Sequence, residues 1–172
     1  MDDDLSTLSV AQVVADHHAA VYRYAYRLTG SETDAEDLTQ HTFLTAQRKL
    51  GQLRNVESTR SWLFTILRNA FFKSCQKRRP IPAANVDMDV NNVAADFPED
   101  PVVSSEQLQQ ALDELPEKFR VALLMFYYEE LSYREIAERL HVPMGTVMSR
   151  LARAKRYLRS KLFEPVAESA DH

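Results

Sequence analysis

The chain has 172 residues, of which 27% are charged and 45% hydrophobic, and its formal net charge is -4. That length holds one ordinary domain or two small helical ones, and the apolar content supports a core, which excludes a disordered chain. With three glycines, one cysteine and no apolar run near the roughly 20 residues of a membrane span, a turn-rich β fold, an internal disulfide and membrane insertion are all disfavoured.

The elements follow from apolar spacing. Val10, Val14, His17, Val21, Tyr24 and Leu28 recur at three and four residues, and Thr29-Gly30 stops this first helix. Thr33 with Glu36 forms a capping box for a second helix, striped by Ala35, Leu38, Thr42, Ala46 and Leu50 and ended by Gly51. "QLRNVES" has no period and reads as a loop. Ser58 or Thr59 caps a third long helix striped by Trp62, Ile66, Leu67, Ala70 and Ser74, with Trp62 as a core anchor, until Pro80 forbids continuation.

The next stretch holds Pro80, Pro82, Pro98 and Pro101, the acids Asp87, Asp89, Asp96, Glu99 and Asp100, and no cation. Its apolar residues follow neither helical nor strand spacing, so it is an acidic flexible linker. Ser104 with Gln107 opens another helix through Leu108, Leu112 and Leu115. Pro116 suits the first turn of "EKFRVALLMFYYEE", which is apolar almost all round and therefore the buried centre of a second bundle. Ser132 with Glu135 caps "SYREIAERL", whose Ile136, Ala137 and Leu140 face inward. "HVP" then turns the chain into a last helix beginning near Pro143. The expectation is an all-α protein of two small helical domains: residues 1–80, a linker at 81–103, a helix-turn-helix domain at 104–164 and a tail at 165–172.

Charge is placed unevenly along this chain. Acids dominate up to Asp37, where the only cations are Arg23 and Arg27. Arg68, Lys73, Lys77, Arg78 and Arg79 then follow without an acid. The last helix repeats this with Arg150, Arg153, Lys155, Arg156, Arg159 and Lys161. Two basic segments in an acidic chain point to two surfaces for a polyanion. On the last helix Val147, Leu151, Ala154 and Leu158 fall on one face and pack inward, which turns Ser149, Arg150, Arg153 and Arg156 outward. Hydroxyls at Thr146 and Ser149 let backbone approach DNA, and the arginines suit phosphates or guanine edges. An isolated basic helix is more often a solvated face. Here the capped first helix, the Pro-marked turn and the acid-free second helix agree on a helix-turn-helix. Neutralising about five phosphates sets a salt slope of roughly -4 to -5 in log affinity.

No Ser-His-Asp order, phosphate loop or apolar carboxylate pair is present, so no enzyme activity and no cofactor are expected. Asp37 with His41, and His17-His18, lack a second pair at ligand spacing, so no metal is expected either. "MDDDLSTLSV" lacks the basic and apolar regions of a secretory signal, which makes a cytoplasmic protein the expectation.

"LPEKFRVALLMFYYEELSYREIAERLHVPMGTVMSRLARAKRYLRSKL" resembles the C-terminal domain of the extracytoplasmic-function sigma factors of bacterial RNA polymerase. "YRLTGSETDAEDLTQHTFLTAQRKL" with "TRSWLFTILRNAFFKSCQKRR" is similar to the N-terminal domain of the same family, through Ala35-Glu36-Asp37, Gln40, Phe43, Trp62-Leu63 and Arg68-Asn69. The resemblance implies a promoter-specificity subunit whose partners are core RNA polymerase, promoter DNA and an anti-sigma factor. It assigns Thr146, Ser149, Arg150, Arg153 and Arg156 to the upstream, minus-thirty-five element. Met148 and Ala152 stand where relatives often carry larger or polar readers, so shape readout takes a larger share. It assigns Asp37, Leu38, Gln40, His41 and Phe43 to the polymerase clamp, His41 replacing a frequent acid. Asn55, Arg60, Arg68, Asn69, Lys73 and Lys77 fall to the melted minus-ten element, Lys73 replacing a frequent aspartate. A flipped base needs polar edges and a single strand needs cations along its phosphates, which these residue types supply. The other reading is a stand-alone helix-turn-helix regulator with a sensing or dimerising N-terminal half.

Overall fold

The computed structural model describes residues 8–78 and 103–163, and the chain divides into two compact units, Met1–Asp87 and Met88–His172. The expected stop at Pro80, nearly all of the expected linker and the tail lie outside the described residues. Within those residues there are seven α-helices and no strand.

The first unit packs α1 (Val10–Thr29), α2 (Glu32–Lys49) and α3 (Thr59–Arg78) against one another in pairs. Ser9 caps α1 by accepting the Gln12 N–H at 3.1 Å. Gly30 ends it as the spacing predicts, at φ 67, a left-handed conformation that a side chain would strain. The Thr29 hydroxyl donates back to the Ala25 carbonyl at 2.9 Å and accepts the Ser31 N–H at 3.4 Å. The chain therefore reverses at once, and Ser31 rather than Thr33 caps α2, accepting from Asp34 N–H at 3.3 Å. Thr33 falls inside the first turn, where Glu32 and Asp34 sit against the positive end of the helix dipole.

Gly51 does not end α2 through a left-handed cap. The helix stops at Lys49 and passes into a 3-10 turn, Leu50–Gln52, and a second such turn, Val56–Ser58, occupies the segment predicted as plain loop. The core of the unit is Val21, Tyr24, Ala25, Leu28, Ala35, Leu63, Phe64 and Leu67. Tyr24 meets Phe64 edge to face at 4.9 Å between ring centroids.

On α3 the buried face is Thr59, Leu63, Phe64, Leu67, Arg68 and Phe71, so only Leu67 of the expected stripe is fully buried. Trp62, Ile66, Ala70 and Ser74 are half-buried, and Trp62 is a flank residue rather than a core anchor. The cause is visible in the sequence: Trp62, Leu63, Phe64, Ile66, Leu67, Ala70, Phe71 and Phe72 surround the helix, so a 3.6-residue period fits more than one face.

The second unit comprises α4 (Ser105–Glu114), α5 (Glu117–Tyr128), α6 (Tyr133–Leu140) and α7 (Met144–Phe163), and α7 packs against the other three. Both expected capping boxes form, Ser104 with Gln107 and Ser132 with Glu135. Pro116 immediately precedes α5, its carbonyl accepting from the Phe119 and Arg120 N–H groups at 2.9 and 3.1 Å. Val121 through Met125 are consecutively buried, which an apolar helix packed between neighbours requires. Arg120 donates through a guanidinium nitrogen to the Leu112 carbonyl at 3.3 Å, holding α5 to α4.

The turn between α6 and α7 has a defined geometry. His141 lies at φ 54, its N–H reaching the Glu138 carbonyl at 3.4 Å, while Val142 N–H reaches Ala137 at 3.1 Å. This crossed pair of bonds after a left-handed residue is the Schellman arrangement, here built on a histidine. Pro143 follows, and its carbonyl accepts from Thr146 and Val147 N–H at 3.0 and 3.3 Å, starting α7.

Candidate nucleic-acid interface

Four side chains seat α7. Val147, Leu151, Ala154 and Leu158 are between 0% and 4% exposed, the set that the spacing turns inward. Burying each larger one stabilises the helix by about 1.5–3 kcal/mol, so the orientation of the remaining positions is firmly held. Thr146, Ser149, Arg150 and Arg153 are half-buried and Arg156 is exposed, all off that stripe. Burial lowers the pKa of Arg150, whose guanidinium gives up part of its hydration within the protein.

The cations of α7 divide into two groups. Lys155 Nζ lies 5.0 Å from the Phe126 ring centroid and 5.8 Å from that of Tyr127, so its charge rests on the aromatic end of α5. Lys161 pairs with Glu114 at 2.8 Å, and the Tyr157 hydroxyl donates to the same carboxylate. The Lys161 and Tyr157 hydrogen bonds hold the Glu114 carboxyl below its usual range, and the Glu114 contact raises both Lys161 and Tyr157. Lys155 and Lys161 thus tie α7 to α5 and α4. Arg150, Arg153, Arg156 and Arg159 are the arginines of the same acid-free helix.

In the first unit the expected minus-ten residues separate. Asn69, Lys73 and Lys77, four residues apart in turn, share an exposed face of α3. Arg68, one residue earlier, is 3% exposed and turned into the helix packing, off the face that Asn69, Lys73 and Lys77 share. Asn55 is exposed, and its side-chain oxygen accepts the Glu57 N–H at 2.9 Å, capping the turn that leads into α3. Arg60 is exposed with its guanidinium 5.3 Å from the Phe64 ring centroid. Arg78 bonds Asp34 at 3.0 Å, which raises the guanidinium pKa and links the end of α3 to the start of α2.

The expected polymerase set also divides. Asp37, Gln40 and His41 are exposed on α2, whereas Leu38 and Phe43 are each 8% exposed, and Phe43 stacks against His18 at 6.0 Å. Leu38 and Phe43 hold the helix in place. Leu44, 53% exposed, lies on the outer face with Asp37, Gln40 and His41, at the i, i+3, i+4, i+7 spacing of one helical side. Its signal was present in the sequence, as a leucine off the Ala35, Leu38, Thr42, Ala46 stripe. No described helix is long and apolar enough to cross a membrane.

Comparison with known proteins places these surfaces in a family. Residues 13–81 match the family model "Sigma-70 region 2" and residues 105–158 match "Sigma-70, region 4". The chain is 36% identical over 173 residues to the ECF RNA polymerase sigma factor SigE of Mycolicibacterium smegmatis, spanning 98% of this chain and 67% of that protein. It is 30% identical over 164 residues to the ECF RNA polymerase sigma factor SigW of Bacillus subtilis, with 88% of each chain covered. The sigma factor RpoE of Bartonella quintana, solved in complex with the anti-sigma factor NepR, superposes with a TM-score of 0.64 at 26% identity, covering 88% of this chain and 94% of that one. The match to region 2 leaves no separate sensing half, which removes the main support for a stand-alone regulator. Two sigma regions in the family order, on two helical units, make this chain a member of the extracytoplasmic-function sigma factors.

Proposed function

We infer that the chain directs core RNA polymerase to specific promoters and assists promoter melting at the start of transcription. One observation carries the residue-level reading: each unit presents cations from one long helix whose opposite face is core. In the second unit α7 enters the major groove of the upstream element. Thr146 and Ser149 allow close approach of the backbone, Arg153 addresses base edges, and Arg150 and Arg156 address phosphates. Seating by four buried side chains supplies the rigidity that base readout needs, since a recognition side chain on a loose helix gives up its geometry.

In the first unit Asn69, Lys73 and Lys77 track the phosphates of the melted minus-ten strand, and Asn55 and Arg60 sit at the entrance of α3 where an unstacked base is received. A base leaving the stack is captured rather than chemically changed, so the protein is an initiation factor and leaves catalysis to the polymerase. Asp37, Gln40, His41 and Leu44 form the face of α2 that meets core polymerase. Leu44 supplies the apolar contact and the polar residues its surround. The protein works in the cytoplasm with the polymerase, and an anti-sigma factor binds it and holds it inactive; the relative RpoE of Bartonella quintana forms such a complex with NepR.

The test is reconstitution. Purified chain is added to bacterial core polymerase with a library of promoter fragments, and promoter-dependent RNA synthesis is expected only when both proteins are present. Absence of transcripts, together with tight binding of the free chain to duplex operator, overturns the reading.

A further inference from the structure

Two large apolar side chains stand open on α7. Met144 is 51% exposed and Met148 is 47% exposed, and at four residues apart they share one side of the helix. A single exposed methionine is ordinary, but a pair on the opening turns of a helix otherwise lined with arginine marks a surface that something covers. A second copy of the chain is a poor occupant. Arg150, Arg153, Arg156 and Arg159 lie on the same helix without one acid, so two such faces would meet with like charges. Those charges instead suit a duplex. In the major groove the apolar feature of a base edge is the 5-methyl group of thymine.

We propose that Met148 is a specificity-determining residue that packs its thioether against a thymine methyl group in the upstream promoter element, with Met144 extending the apolar strip. The inference rests on the reading of α7 as the upstream-element helix. Met148 directly precedes Ser149, the hydroxyl residue placed toward DNA. Its neighbours also favour reach: Gly145 has open space where a side chain would stand, and Ala152, one turn on, is short. With little side chain at these two positions the helix settles deeper, and an unbranched, polarisable side chain adapts to a methyl group without a fixed hydrogen-bond geometry.

The experiment uses the reconstituted holoenzyme. Duplex fragments are first selected from a random upstream library, and each thymine in the selected element is then replaced by deoxyuridine, which lacks only the 5-methyl group. One replacement is expected to weaken wild-type binding about fourfold, the equivalent of one buried methyl. Met148→Ala is expected to weaken binding to the unmodified fragment by a similar factor and to abolish the thymine-deoxyuridine difference, while Met148→Leu retains it. Wild-type indifference to every replacement overturns the proposal, as does a Met148→Ala holoenzyme that still discriminates. A Met148-dependent dimer in sedimentation, with no deoxyuridine effect, also overturns it. If Arg153→Ala lowers binding in those same assays the reading of α7 survives that loss; if no element is selected at all, the reading itself falls.

Discussion

The two basic helices, α3 and α7, are each 20 residues long, yet they display their charges by different means. On α7 four apolar residues alone are buried, and every cation lies off that stripe. On α3 apolar residues surround the helix and one arginine, Arg68, is buried among them. A helix with one narrow apolar stripe fixes its own orientation. A helix that is apolar on several sides has its orientation chosen by its neighbours, here by Tyr24 against Phe64. The same residue type, arginine, therefore means a surface on one helix and packing on the other.

The largest effects test that division through the core. Leu67→Ala and Leu151→Ala are each expected to destabilise their own unit by about 2–5 kcal/mol, read from urea unfolding of the full chain. Ile66→Ala, from the stripe that spacing alone favours, is expected to cost less than about 2 kcal/mol because Ile66 is only half-buried. A larger loss at Ile66 than at Leu67 would reverse the face of α3 and return Arg68 to the surface.

Next in size is the contrast between arginines. Arg68→Ala is expected to lower stability by about 2–3 kcal/mol, because truncation empties a buried position in the packing of α3. Arg153→Ala is expected to lower promoter-specific transcription roughly tenfold or more while binding to core polymerase stays unchanged, as loss of one base-edge contact does. Equal loss of polymerase binding in Arg153→Ala would make both arginines structural.

How far the sequence reached follows from the same contrast. The inward set of α7, both capping boxes of the second unit and Gly30 are local features, legible because spacing or backbone chemistry decides them within a few residues. The cap of α2 was misplaced because Thr33 and Glu36 fit a capping box in isolation. The Thr29 hydroxyl and the left-handed Gly30 reverse the chain so quickly that Ser31 reaches the cap position first. Leu38 and Phe43 carry the family motif and also carry the core; spacing puts Leu38 on the inward stripe, whereas Phe43, beside that stripe, is buried by its stacking on His18. Leu44 was missed for the converse reason, since nothing in the motif singles it out. Lys155 and Lys161 belong to the acid-free run of the last helix, and spacing alone does not reveal their partners, because Phe126, Tyr127 and Glu114 are 28 to 47 residues away in sequence.

Within α7 itself, Arg156→Ala is expected to reduce the salt slope of promoter binding by about one. Lys155→Ala is expected to leave that slope unchanged and to cost about 0.5–1 kcal/mol of stability, the worth of its contact with the Phe126 and Tyr127 rings. Salt titration and urea unfolding of the two variants separate the roles, and a slope change in Lys155→Ala would put that lysine on the DNA face.

The pairing of Glu114 with Lys161 and Tyr157 gives a pH dependence confined to the second unit. The folded-state pKa of Glu114 lies below its unfolded value, so its contribution is present above the ordinary glutamate range and is lost as pH falls through the lower folded value. Lys161 is raised, so its contribution is present below the ordinary lysine pKa and is lost only as strongly alkaline pH rises through its folded value. Glu114→Gln should flatten the acid arm for the second unit and leave the first unit's unchanged, as followed by thermal melts from pH 3 to pH 7. An unchanged acid arm in Glu114→Gln would mean that the cation is not held there, and Lys161 would join the arginines.

The smallest effect concerns how each helix is entered. The 3-10 turn Val56–Ser58 leads into α3 with no positive φ, whereas α7 follows His141 at φ 54. An L-residue with a Cβ in the left-handed region costs roughly 1 kcal/mol that glycine avoids, partly offset by the greater freedom of glycine in the unfolded chain. The His141 side chain is exposed, so its removal takes little packing away. His141→Gly is therefore expected to stabilise the second unit by about 0.5 kcal/mol, a rise of a few degrees in its melting temperature, without moving that of the first. Promoter affinity should hold or fall slightly, because the crossed bonds from His141 and Val142 persist while the turn that aims α7 becomes freer outside them. A fall in melting temperature would show that the histidine itself locks the turn, and the rigidity of α7 would then come from its entry as well as from Val147, Leu151, Ala154 and Leu158.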